Sequence, residues 1–132
     1  MKRRQALLTA LTSAATLSAQ SKKKSGGDQT IQLHVDMMVD PAKEKELKKN
    51  FKEIFKPAMA KQPGYLHVYM LKLREAKAGS APANANYRLV INFKSEEDRM
   101  NWVKSNDHQA AWPTIEGLLK VKNYTAILYD QL

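Results

Sequence analysis

Apolar and polar residues alternate at the start of the patterned part of the chain, over residues 31–39. A period of two is typical of a β-strand with one buried face. Asp40 then has the side chain of a helix cap, and Pro41 suits the first helical position, where its missing N–H leaves no bond unmade. The pattern therefore predicts a first strand and a helix that begins at Pro41. The apolar strand positions are Ile31, Leu33, Val35, Met37 and Val39.

Helical spacing replaces alternation in the next segment, where lysines and glutamates cover the face opposite the apolar stripe. Pro57 lies inside this segment, and a proline there removes a helical hydrogen bond, so we expect a kink. Pro63 and Gly64 form the predicted end of the helix. The apolar stripe consists of Leu47, Phe51, Ile54, Phe55, Ala58 and Met59.

A second strand is predicted from Tyr65 to about Arg74, and its early part is apolar on both faces. Such a strand is expected to be covered on both sides. Residues 76–86 are rich in small residues and contain Gly79 and Pro82, which is typical of a loop. Tyr87 to Phe93 is the predicted third strand, so strands two and three form a hairpin with a long loop.

Ser95 and the acidic residues after it predict the start of a second helix, because carboxylates favour the positive end of a helix. The stretch 105–107, Ser-Asn-Asp, interrupts the apolar pattern, which resumes from Ala111. We therefore expect this helix to be broken in two. A last strand is predicted over residues 123–129, with both faces mostly buried.

The order of predicted elements is β-α-β-β-α-β, which is the ferredoxin-like pattern of the α+β class: an antiparallel four-stranded sheet with the helices on one face. The other face would present Leu, Met, Val or Tyr side chains to water. An apolar face of that size is typical of an interface. We therefore expect a homodimer packed sheet to sheet, a dimeric α+β barrel.

The first 19 residues have the order of a signal peptide: a basic start at Lys2, Arg3 and Arg4, an uncharged stretch, and small residues before Gln20. The stretch is too short to span a bilayer. The arginine pair resembles a twin-arginine signal, and the general export route remains an alternative. We therefore predict a signal peptide over 1–19, a flexible linker over 20–30, and a domain over 31–132 that is exported to the periplasm or secreted by a bacterium, with no membrane span in the mature form.

The net charge of +9 does not indicate a nucleic-acid partner, because six basic residues come before residue 25 and residues 25–132 carry only +3. A basic surface-binding role for Lys22, Lys23 and Lys24 is weak, since three tethered charges give only salt-sensitive attraction. The absence of cysteine excludes disulfides, thiolate metal sites and a cysteine nucleophile.

Five parts of the chain contain family-like motifs: 35–41, 62–65, 93–97, Trp102 and 105–108, the last ending in His108. Together they resemble the antibiotic biosynthesis monooxygenase (ABM) domains of the dimeric α+β barrel superfamily. The resemblance implies a dimer with a pocket between sheet and helices in each subunit. The resemblance further implies the activity of the best-known members, which convert anthrone-like phenols to quinones with O₂ and without a metal or flavin, and it therefore implies no cofactor.

His108 is the candidate general base, because imidazole titrates near neutral pH and the helix break puts it at a pocket rim. The alternative is a capping or surface histidine. Trp102 and Trp112 are candidate pocket walls, with core packing as the alternative. Tyr69 is a further candidate pocket residue, and Asn92 is a candidate partner for a substrate oxygen together with Arg88, although a surface salt bridge of Arg88 is the simpler interpretation.

The remaining histidines, His34 and His67, lie on predicted strands and are expected to be structural; no histidines have metal-ligand spacing within one element. A haem-degrading branch of the superfamily carries an Asn near the position of Val35 and a His near that of Trp112, so haem is disfavoured, with His108 as the remaining possible ligand. The predicted function is a cofactor-independent monooxygenase of small aromatic, quinol-type substrates. The alternative is a non-catalytic dimer that binds a small hydrophobic ligand.

Overall fold

The structure, a computed structural model, describes residues 29–132. The predicted signal peptide and all but the end of the predicted linker lie outside the described residues. Among the residues described, no helix has both the length and the apolar character needed to cross a membrane. The strands are β1 (Ile31–Met37), β2 (Tyr65–Lys72), β3 (Tyr87–Phe93) and β4 (Thr125–Asp130), and the α-helices are α1 (Glu44–Asn50), α2 (Lys56–Ala60), α3 (Glu96–Lys104) and α4 (Asn106–Glu116).

The four strands form one antiparallel sheet in the order β2-β3-β1-β4. In the register between the two central strands, Val35 lies opposite Leu89 and Leu33 opposite Ile91. These side chains share one face of the sheet because alternate residues of a strand point to opposite sides. That face carries the core together with the helices. The predicted ferredoxin-like α+β fold is confirmed.

The first helical region is a succession of short segments between β1 and β2. A 3₁₀ turn, Pro41–Lys43, is capped by Asp40, whose carboxylate accepts a hydrogen bond from the N–H of Ala42. After α1 the backbone widens into a π-helical segment, Phe51–Phe55, before α2. Pro57 is near the start of α2 and has no N–H for the preceding turn. The irregularity expected at Pro57 is therefore present as a π-helical segment just before it.

Ser105 divides the second helical region at the predicted break. Its hydroxyl donates to the carbonyl of Trp102 at the end of α3 and accepts the backbone N–H of His108 at the start of α4. Ser95 caps α3 in the same way, through the N–H of Asp98. Both serines thus satisfy helix-terminal groups that would otherwise lack partners.

The second face of the sheet is less buried than the sequence indicates. Every residue of β4 is exposed in the single chain, and Tyr69 and Leu71 of β2 are about half exposed at 50% and 49%. The predictions that β4 is buried on both faces and that β2 is covered twice are wrong for the single chain, because both are edge strands and the helices cover only one face. The first two strands also end sooner than predicted, at Met37 and Lys72.

Candidate active site

A cavity of about 270 Å³ lies between the helix-covered face of the sheet and helices α3 and α4. Its floor is formed by side chains of β1, β3 and β4, and its walls are mostly aromatic. Three of the lining residues have titratable side chains, namely Arg99, His108 and Tyr124. The lining residues are Leu33, Val35, Phe55, Leu89, Ile91, Arg99, Trp102, Val103, His108, Trp112, Tyr124 and Ala126.

The aromatic side chains form a continuous row of edge contacts along the cavity. Ring centroids are separated by 5.4 Å between Tyr124 and Trp112, 6.4 Å between Trp112 and Phe55, and 5.8 Å between Phe55 and Trp102. Edge-to-face contacts of this kind hold rings in fixed orientations. Trp102 is only 2% exposed and therefore packs in the core as well as lining the cavity. The two interpretations of this residue are compatible.

His108 lies at the end of this row, with its ring 5.0 Å from that of Trp102. The Ser105 cap fixes its backbone in the first turn of α4. Its Nδ1 atom is buried and has no hydrogen-bond partner within residues 29–132. Burial, with a smaller contribution from the positive charge of Arg99, lowers the pKa of His108 below its ordinary value of 6.5. The imidazole is therefore neutral at neutral pH and able to accept a proton.

Arg99 is a cavity residue that sequence reasoning missed. Its guanidinium makes a forked pair with the Glu96 carboxylate, with both N···O distances at 2.7 Å, and its side chain is only 14% exposed. A fork of this kind holds the guanidinium in one orientation. The sequence did contain a signal for Arg99, because this residue precedes Trp102 by three positions and therefore lies on the same face of the helix. Tyr124, just before β4, was also missed.

Tyr69 and Asn92 lie on the opposite face of the sheet, so their prediction as pocket residues beside His108 is corrected. Tyr69 is paired with Val90, and Asn92 with His67, on the face that no helix covers. The Asn92 amide donates to Gln131 at 3.1 Å. Strand phase, which the sequence left open, decided this outcome.

The other histidines also belong to that second face and are separated by β3. His34 is bonded to Gln32 at 2.8 Å and packs against Tyr129, while the His67 ring stacks on Tyr69. Arg88 forms a forked pair with Asp36, at 2.7 and 3.0 Å, which agrees with the simpler interpretation of Arg88. No group of three or more His, Cys, Asp or Glu side chains within the described part of the chain is arranged to hold a metal ion.

The two positions used by the haem-degrading branch, Val35 and Trp112, both line the cavity. Neither side chain is a ligand for iron, and His108 is the one imidazole among the lining residues. The donor set of the cavity therefore does not fit the diagnostic pair of that branch.

Comparisons with known protein families and structures agree with the ferredoxin-like fold described above. Residues 30–113 match the family model for antibiotic biosynthesis monooxygenase. No curated protein matches the chain with significance.

Solved structures resemble the chain over most of its length. A Bordetella bronchiseptica protein, described as a candidate antibiotic biosynthesis monooxygenase, has 16% identity and a TM-score of 0.63, over 79% of this chain and 98% of that one. A Caulobacter crescentus protein of the same description has 17% identity and a TM-score of 0.63, over 80% and 92%.

A variant of SnoaB, a cofactor-independent oxygenase from Streptomyces nogalater, has 13% identity and a TM-score of 0.58, over 76% of this chain and 91% of that one. At these identities the structural matches establish the fold alone. The family model, in contrast, covers well over half of the chain. The chain therefore belongs to the antibiotic biosynthesis monooxygenase family.

Proposed function

We propose that this protein is a cofactor-independent monooxygenase that oxidises a small aromatic, quinol-type substrate in the cavity beside His108. The observation that carries the proposal is a buried imidazole with a lowered pKa and an unpartnered nitrogen, set against a row of aromatic rings. A volume of about 270 Å³ is near the lower end of the usual range for ligand pockets. The cavity therefore suits a compact aromatic molecule.

The chemistry begins with a proton transfer from the substrate to His108. Loss of a proton from an anthrone-type phenol gives an electron-rich anion, which is able to pass an electron to O₂. Combination of the resulting radical pair forms a carbon–oxygen bond, and protonated His108 returns its proton to the peroxide anion. Loss of water from the hydroperoxide then leaves a new carbonyl. The sum is CH₂ plus O₂ to C=O plus H₂O, so O₂ is the oxidant and no other electron donor is required. General base catalysis of this kind contributes about 10²–10⁴-fold.

Arg99 is suited to stabilise the negative charge that develops on the substrate or on reduced O₂. The Glu96 carboxylate holds its guanidinium at the cavity wall. The aromatic and aliphatic lining limits the access of water to the anion, which strengthens this electrostatic interaction. The positive charge of Arg99 also lowers the pKa of His108 and so favours its neutral form, which is the form that can accept a proton.

We further propose that the protein is exported and acts as a homodimer through the open sheet face. In support of the dimer, large apolar side chains are exposed on this face of the edge strands, including Tyr69, Leu71, Ile127 and Tyr129. Association of two such faces would remove this area from water. Export rests on the signal-peptide pattern of residues 1–19.

The first experiment is O₂ consumption by the metal-free protein with a panel of anthrones and hydroquinones. We expect turnover with at least one compound and a loss of about 10²-fold or more in His108→Ala. Gln109→Ala is the control, because Gln109 is the exposed neighbour of His108 on α4 and does not line the cavity. Tight binding of an aromatic compound without O₂ uptake would favour the non-catalytic binding dimer instead.

A further inference from the structure

A second cavity, of about 620 Å³, lies at the β2 edge of the sheet and is separate from the His108 cavity. Its floor is apolar, made by Leu47, Phe51, Met70 and Tyr87, and its rim carries four lysines. We call it the lysine groove. The rim consists of Lys48, Lys52, Lys56 and Lys72, with Glu44 as the one acidic residue.

The positive charge of the rim exceeds what Glu44 neutralises. Glu44 binds Lys72 at 2.7 Å and lies 3.5 Å from Lys48, and the hydrogen bond from Lys72 is the main reason that the pKa of Glu44 is lowered to about 2. Lys52 and Lys56 form no ion pair within residues 29–132. Two ammonium groups at this rim thus have no counter-charge.

The floor also contains a polar group, the Tyr87 hydroxyl. It is buried beside the Glu44 carboxylate, and burial together with this carboxylate raises the pKa of Tyr87 to about 12. The hydroxyl therefore faces a group of the protein itself, and the charge that a ligand would meet comes from the lysines. Phe51 and Lys52 also belong to the π-helical segment, a form of backbone that is frequent at functional sites.

We propose that the lysine groove binds a small organic anion, a carboxylate that carries an apolar chain. The apolar chain would cover Phe51 and Met70, which are partly exposed, and the carboxylate would lie at the rim near Lys52 and Lys56. Burial of the chain supplies affinity, and the unpaired lysines select the charged head. A simple inorganic anion would leave the apolar floor uncovered, and an uncharged lipid would leave the lysines without a partner.

The test uses decanoate and, as an uncharged analogue, decanol, titrated into the full-length protein by calorimetry. We expect decanoate to bind at least several-fold more tightly than decanol. The double variant Lys52→Gln/Lys56→Gln should weaken decanoate binding by roughly threefold to tenfold, since each exposed charge contributes modestly. The control Lys45→Gln/Lys49→Gln removes two lysines of α1 that do not line the groove and should retain the affinity.

Two further measurements make the test specific. Glu44→Gln should increase the affinity for decanoate, because it removes the one negative charge and releases Lys48 and Lys72. The methyl resonance of Met70, in the groove, should shift on binding, whereas that of Met100, exposed on α3, should not.

Three results would each overturn the proposal. The first is equal affinity for decanol and decanoate, and the second is an equal loss of decanoate affinity in the two double lysine variants. The third is binding to anionic phosphatidylglycerol vesicles without binding to decanoate. An unchanged affinity for decanoate in His108→Ala would support the proposal, because it would show that decanoate does not occupy the His108 cavity. Because the substituted lysines are exposed, both double variants are expected to fold, and circular dichroism checks this.

Discussion

The imidazole of His108 meets the indole of Trp102 edge to face, with ring centroids 5.0 Å apart and ring planes at 81°. This contact joins the candidate base to the largest buried side chain of the cavity. It also bridges the break between α3 and α4, because Trp102 is in α3 and His108 in α4. The geometry of the proposed base therefore depends on how the two helices are joined.

The pH dependence of the reaction follows from the lowered pKa of His108. The base acts only when neutral, and burial keeps it neutral at pH values where a free imidazole is already charged. We expect kcat/KM for O₂ uptake to be level at neutral pH and to fall as pH decreases, with an apparent pKa below 6.5. A titration of the His108 ring protons by NMR should give the same value.

Removal of the Arg99 charge should raise this pKa. In Arg99→Gln the acid limb of the pH profile is expected to move towards higher pH, because the positive charge no longer opposes protonation of His108. Arg74→Gln is the control, since Arg74 is an exposed arginine that does not line this cavity. An acid limb that moves equally in both variants, or not at all, would contradict the role given to Arg99.

Ser105→Ala should disturb both stability and His108. The substitution removes a helix cap, and we expect the free energy of unfolding to decrease by about 1 kcal/mol. Ser95→Ala removes the equivalent cap of α3 and serves as the matched control. Urea denaturation should detect a loss in both variants, whereas the NMR titration of His108 should shift only in Ser105→Ala, where the lost bond is to His108 itself.

The proposed dimer makes a separate prediction for two exposed isoleucines. Ile127 on the open sheet face is 47% exposed, and Ile54 on the helical side is 41% exposed. A charge in the centre of an apolar interface is costly, so Ile127→Lys should convert the dimer to a monomer. Ile54→Lys should leave the dimer intact. Analytical ultracentrifugation distinguishes these outcomes, and a monomeric wild-type protein would refute the dimer.

Gly64 is expected to tolerate no side chain, because its φ is +82° and a Cβ atom would collide with the carboxylate of Asp98. Gly79 has a φ of +68° with no atom within 4 Å of an added Cβ, so it carries the backbone penalty alone. Gly79→Ala should cost about 1–2 kcal/mol in the free energy of unfolding. Gly64→Ala should cost clearly more, and chemical denaturation that gives equal losses would contradict the steric argument.

The order of elements could be predicted from the sequence because its signals are local. The alternation over residues 31–37, the helical spacing from Leu47 to Met59, and the serines at positions 95 and 105 each act within a few neighbouring residues. Those signals sufficed for the ferredoxin-like fold and for the break before His108. The three residues brought together at the cavity, His108, Trp102 and Trp112, were all named from helical segments.

Tertiary structure alone decided which side of each strand meets the helices. A shift of strand register by one residue exchanges the two faces, and register depends on pairing between strands that are far apart in the chain. For that reason the sequence left the face of Tyr69 and Asn92 open, and they lie on the face away from the His108 cavity. The exposure of β4 was not foreseen either. The packing of α1 and α3 on the sheet places Arg99 at one cavity and four lysines around the other. Both cavities form between segments that are distant in the sequence, so no local pattern predicts them.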